Sequence, residues 1–129
     1  MNAIRVAIAD DQVLFCSGVQ MLIESQSDLA FAGAAHDGVA AVDLAARERP
    51  DVLLMDIRMP RLDGIEATER IVQAAGDAAD APKVIVLTTF HRDEAVARAI
   101  HAGAHGFLMK DTTPEFVLAS IRIVHSGSP

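Results

Sequence analysis

Short apolar runs alternate along the chain with longer stretches of helical period. Residues 4–9, 29–34, 52–55, 83–88 and 106–110 are brief, rich in branched side chains and bounded by turn residues, so they predict five strands. Their hydrophobicity is nearly unbroken, which suits parallel strands covered on both faces by helices. Five helices are predicted between and after them. Residues 13–25 place Phe15, Val19, Leu22 and Ile23 on one face; residues 38–49 turn Val42, Ala45 and Ala46 inward before Pro50 stops the helix. Residues 64–75 carry Ile65, Thr68, Ile71 and Val72, and residues 92–102 carry Val96, Ala99 and Ile100 ahead of Gly103, a C-cap signal. Residues 113–126 open on Thr113, Pro114 and Glu115, a strong helix start. Five βα units in strict alternation imply an α/β fold: a single, doubly wound, five-stranded parallel sheet of order 2-1-3-4-5.

That order gives the polar residues ending the runs a common meaning. The first run meets Asp10 and Asp11, the third Asp56, the fourth Thr88 and the fifth Lys110. In open α/β sheets ligands bind outside the carboxyl ends of the strands, where strand order reverses, so these side chains are expected to converge. Each pair of carboxylates at about 4 Å costs about 4 kcal/mol at an effective dielectric near 20. One lysine does not balance three acids; Mg²⁺ does, and an all-oxygen ligand set suits it. A carboxylate left beside the ion can then attack phosphorus.

Composition narrows the function. The 129 residues suffice for one domain, and 51% hydrophobic content argues against disorder. With no Trp or Tyr and five Phe, the core must be mainly aliphatic. A net charge of −7 makes this stretch a poor polyanion binder. Cys16 is the sole cysteine and reads as a small buried thiol rather than a reactive one. No signal sequence or bilayer-spanning run is present, so a cytoplasmic domain with no membrane partner is expected. Residues 76–82 (GDAADAP) read as a mobile acidic loop and residues 126–129 as linker-like. The five histidines have no metal-ligand spacing with cysteines and read as surface or linking residues, with His91 and His105 placed near an output face.

Asp10-Asp11, residues 54–60 (LMDIRMP) continuing to Asp63-Gly64, Thr88-Thr89 and residues 106–110 (GFLMK) together resemble a response-regulator receiver domain, with a flavodoxin-like fold. Thr88-Thr89-Phe90, residues 102–106 (AGAHG) and Lys110-Asp111 resemble the LuxR/NarL-type subfamily of two-component regulators. The resemblance implies that residues 1–126 are the receiver and that 127–129 begin a linker to a DNA-binding domain outside this chain. It implies that Asp56 is the phosphoacceptor, that Asp11 ligates Mg²⁺ directly and Asp10 through water, and that the carbonyl of Arg58 is a further ligand. Thr88 and Lys110 would grip the phosphoryl oxygens, and Phe107 would turn inward as Thr88 moves, a role compatible with a core position. The donor would be a sensor histidine kinase. The output would be homodimerisation through helix 4, strand 5 and helix 5, or through helices 1 and 5, with DNA reached only through the further domain. Such a protein catalyses only its own phosphorylation and dephosphorylation. Arg58 and Phe90 fall where the family tunes dephosphorylation; Gln12 replaces a frequent histidine, with no role assigned to it.

Two other readings compete. A metal-dependent aspartyl-phosphate hydrolase needs a second acid two residues after its nucleophile, and Arg58 stands there. A phosphorylation-independent interaction module would not require the full set of acids, hydroxyl and amine. Asp63-Gly64 reads as a turn entering a helix, and Pro60 as a fixed point in the loop after Asp56.

Overall fold

The computed structural model describes residues 2–89 and 93–127. Strands β1 (Ile4–Ala9), β2 (Leu29–Ala35), β3 (Val52–Asp56), β4 (Lys83–Thr88) and β5 (Gly106–Met109) alternate with helices α1 (Val13–Glu24), α2 (Gly38–Glu48), α3 (Gly64–Ala75), α4 (Asp93–His101) and α5 (Pro114–Ser126). All strand pairs are parallel and the order is β2-β1-β3-β4-β5, as the sequence implies. One irregularity falls between Val6 and Ala7, opposite Ala32, where Gly33 takes φ 134.

The two-residue period of the strands divides the interior in two. Ala7, Ala9, Leu53, Met55, Val84 and Val86 face α2, α3 and α4, together with Leu44, Ala67, Ile71 and Ala99. Val6, Ile8, Val52, Leu54, Ile85, Leu87 and Leu108 face α1 and α5, together with Cys16, Val19, Ile23, Leu118 and Ile121. Alternate residues of one apolar run therefore serve different layers, which is why the runs show no polar positions. Among the described residues no helix is long and apolar enough to cross a membrane.

Helix faces depart from the sequence reading in two places. In α2 the inward residues are Ala41, Leu44 and Ala45, while Ala46 is exposed. In α4 it is Ala99 that is buried, and Ile100 is 66% exposed. Alanine-rich helices are apolar on most sides, so periodicity leaves their rotation undetermined. Gly103, after α4, takes φ 102, consistent with its C-cap reading. The 76–82 loop is tied by turn hydrogen bonds Ala78 N to Ala75 O and Ala81 N to Ala78 O, and by an Arg49–Asp80 ion pair at 2.6 Å. Phe90, His91, the first residue of the expected fourth helix (Arg92), and the last two residues of the linker-like end lie outside the described residues.

Helix starts follow local chemistry. Asp37, Asp63 and Thr113 accept hydrogen bonds from the backbone N–H groups of Ala40, Glu66 and Phe116. Gln12, at the same position of α1, makes no side-chain cap. At the far end of α5, Lys83 Nζ donates to the carbonyls of Val124 and His125 at 3.3 Å. Asp37→Ala is expected to lower stability by about 1 kcal/mol, read from urea unfolding, since the Ala40 N–H loses its acceptor; an unchanged midpoint would show that water replaces the cap without loss.

Candidate functional site

The strand order places the carboxyl ends of β1, β3, β4 and β5 around one opening. The loops there are pinned by backbone bonds: Asp10 N donates to Ala35 O, Ile57 N to Leu87 O, Gly64 N to Ile57 O and Lys110 N to Thr88 O. Asp56, Thr88 and Lys110, together with Asp11, Gln12 and Arg58, line an open cavity of about 770 Å³. The side chains expected to converge therefore do so, with Asp10 directly beneath.

The acids are not equivalent. One carboxylate oxygen from each of Asp10, Asp11 and Asp56 lies within 4.8 Å of the others. Asp10 is fully buried, Asp56 is 6% exposed, and Asp11 is exposed. Asp10 Oδ1 accepts from Gln12 N at 2.9 Å. Asp10 Oδ2 lies 2.7 Å from Lys110 Nζ, an ion pair without hydrogen-bond geometry. Lys110 stands farther from Asp56, at 4.0 Å from Oδ2. Its ammonium also donates to Gln12 Oε1 at 2.6 Å and lies 4.4 Å from the centre of the Phe15 ring.

Burial raises the Asp56 carboxyl from 3.8 to about 6; Asp10 adds to the rise, Lys110 opposes it, Asp11 adds a little more, and the Ile57 N–H opposes it. Further positive charge beside Asp56 would oppose both the burial and the repulsion from Asp10. Three clustered carboxylates, one ammonium and a buried oxygen without a donor fit a hard divalent cation with all-oxygen ligands. Asp11, at the cavity wall, is placed to face such an ion, whereas Asp10 has both oxygens turned to Gln12 and Lys110.

Phe107 is partly buried against the α2–α3–α4 layer, so its side chain belongs to the core in this state. Asp63 stands at the turn entering α3, as its sequence reading has it, caps that helix, and also reaches the cavity wall. His105 does not lie toward the site: it pairs with Val84 at the amino end of the sheet, its Nδ1 accepting from Val84 N at 3.1 Å. It precedes β5 rather than following it, which sets it on the opposite edge. Cys16 is buried, its thiol directed at the Asp10 carbonyl, and burial pushes it up to about 11, with Asp10 adding to the rise. The sequence reading missed His36, whose Nδ1 lies 3.0 Å from the same carbonyl, and the bond between Gln12 and Lys110. No spacing rule flags either contact.

A parallel sheet of this order, with an acid pocket where strand order reverses, defines the flavodoxin-like receiver fold. The chain belongs to the response regulator receiver domain family, whose model matches residues 6–122. It is 44% identical over 126 residues to the uncharacterized transcriptional regulatory protein YxjL of Bacillus subtilis (strain 168), a match covering 98% of this chain and 56% of that protein. The transcriptional regulatory protein LiaR of the same organism is 40% identical, with 98% and 58% covered. The chain thus spans little more than half the length of these curated relatives. Among solved structures, the signal receiver domain of the response regulator NarL from Mycobacterium tuberculosis superposes with a TM-score of 0.91 at 29% identity, covering 98% of this chain and 99% of that one.

Proposed function

We propose that this receiver domain is phosphorylated on Asp56 by the phosphohistidine of a sensor histidine kinase, and that it controls a DNA-binding domain carried beyond residue 129. The observation that carries this reading is the meeting of Asp10, Asp11, Asp56, Thr88 and Lys110, from four strand ends, around one open cavity. Asp11, Asp56 and the Arg58 carbonyl would hold Mg²⁺ directly, and Asp10 through water. The ion, when bound, supplies positive charge against the carboxylates and the phosphoryl oxygens.

Asp56 is the nucleophile. An ionised Oδ attacks phosphorus in line, the new O–P bond forms as the P–N bond of the donor breaks, and the imidazole leaves with the electron pair. Lys110 supplies an ammonium and Thr88 a hydroxyl for the oxygens of the transferred group, where charge is greatest in the transition state. Hydrolysis of the acyl phosphate by water resets the domain, and no external substrate is turned over. Thr88 and Phe107 stand on the adjacent strands β4 and β5, which supports a coupled movement of the two on phosphorylation.

Pairing with a second copy is the proposed output. Leu14 and Met21 on α1, and Phe116 and Ile123 on α5, are each seven residues apart, so each pair shares a helix face. All four are more than half exposed, and both helices cover the same side of the sheet. This favours α1 and α5 over the α4–β5–α5 surface.

Incubation with radiolabelled phosphoramidate and Mg²⁺ is expected to give acid-stable, hydroxylamine-labile label on the wild-type chain and on Asp63→Ala, and none on Asp56→Ala. Label persisting on Asp56→Ala would end this reading. Sustained release of phosphate from small esters would replace it with the hydrolase.

A further inference from the structure

We propose that Gln12 is a positioning residue that withholds Lys110 from Asp56 before phosphorylation; the inference rests on the phosphoacceptor reading of Asp56 and adds to it a brake on the same site. The ammonium of Lys110 is nearly enclosed: its side chain is 7% exposed. Gln12 Oε1 accepts from it at 2.6 Å, Asp10 Oδ2 lies at 2.7 Å, the Phe15 ring covers it, and Asp56 Oδ2 stands off at 4.0 Å. Asp10 draws the lysine by charge. Gln12 carries none, so its hold is directional: it fixes one of the three N–H donors at 2.6 Å while Asp56 Oδ2 stands at 4.0 Å.

The placement of Gln12 suits this task. It occupies the N-cap of α1, where Ser, Thr, Asp or Asn would bond the first turn, yet its side chain caps nothing. Its own N–H donates to Asp10 Oδ1 at 2.9 Å. One residue therefore touches both members of the Asp10–Lys110 pair, through its backbone at one end and its side chain at the other. Gln12 and Asp10 hold the ammonium 4.0 Å from Asp56 Oδ2, so movement of Lys110 toward an oxygen of the incoming phosphoryl group stretches the bond to Gln12. That cost falls on the transfer step and not on folding, because Gln12 is exposed and lies outside both core layers.

Gln12→Met keeps the length and loses the acceptor. It is expected to raise the rate of labelling by phosphoramidate with Mg²⁺ by about threefold to tenfold, the net worth of one ordinary hydrogen bond, since Gln12 is exposed. Gln12→Asn, one methylene too short to reach, is expected to match it, and Gln12→Glu to slow labelling by holding the ammonium more firmly. Lys83 and Lys110 are the chain's two lysines, so their ¹⁵Nζ signals can be assigned directly. Ammonium protons of Lys110 should exchange slowly with water in the wild type and faster in Gln12→Met, with Lys83 unchanged. A purely structural role for Gln12 would leave both readouts where they are or slow the labelling. Met and Asn variants labelling within twofold of wild type, or more slowly, would overturn the proposal. Failure of the wild type to label at all would strike the phosphoacceptor reading instead, and the ammonium exchange would still decide whether Gln12 holds Lys110.

Discussion

Replacing Asp56 with Asn is expected to stabilise the protein in metal-free buffer at pH 7.5 by up to about 3 kcal/mol. The carboxyl is raised from 3.8 to about 6, chiefly by burial and then by Asp10. The folded protein thus binds this proton more tightly than the unfolded chain does. Between about pH 4 and pH 6 the unfolded chain has released the proton and the folded one has not, so stability falls as pH rises through that window. Below it the cost is absent; above it the cost is complete, roughly two units at 1.36 kcal/mol each. The amide removes the cost. Melting curves should separate by roughly 10 °C at pH 7.5 and coincide near pH 4. Millimolar Mg²⁺ should narrow the gap at high pH, because a cation offsets the repulsion that the amide removes. Equal melting points at pH 7.5, or a gain of the same size at pH 4, would show that charge at Asp56 is not the destabilising element.

Repulsion at this cluster is foreseeable in kind. Asp10, Asp11 and Asp56 each end an apolar run, and the strand order that follows from five βα units brings those ends together whatever the side chains do. Strand positions were legible because a continuous run of Val, Ile and Leu between turn residues has few other solutions. Which acid faces the cavity was not legible. Asp10 and Asp11 are neighbours in sequence, and only the backbone turn after β1 makes one buried and the other exposed. The family resemblance separates their roles in the same sense, but by analogy rather than by geometry.

Other features escaped for different physical reasons. The sequence turns Ala46 inward and groups Ile100 with Ala99 because alanine-rich helices give a weak periodic signal; the true face is set by what the sheet offers, here to Ala41, Leu44 and Ala99. Gln12 had no reading because its partner is distant in sequence. A contact across 98 positions depends on rotamers and on which elements share an edge. Departures from a family pattern at such positions are where the individual behaviour of a receiver is to be sought.

Gly64→Ala is expected to cost 3 kcal/mol or more and to cripple phosphorylation even where the protein stays folded. A Cβ at this position would stand 1.8 Å from the carbonyl oxygen of Asp56, 2.8 Å from its carbonyl carbon and 3.0 Å from the Ile57 Cα. All three are backbone atoms, so no side chain can swing aside. Gly64 N also donates to Ile57 O at 2.7 Å, holding the first turn of α3 against the end of β3. Either α3 retreats and breaks that bond, or the end of β3 moves and takes the Asp56 carboxylate away from Lys110 and Asp11. Misplacement of a reacting group by about 1 Å costs on the order of a hundredfold in rate. Gly18→Ala is the internal control: it lies within α1 with nothing within 4 Å of the added carbon, and alanine there should stabilise the helix by about 0.5–1 kcal/mol. Urea unfolding of both variants and labelling of Gly64→Ala below its transition test the pair. A Gly64→Ala protein as stable as wild type, labelling at the wild-type rate, would mean that α3 is not packed against the Asp56 backbone as closely as described.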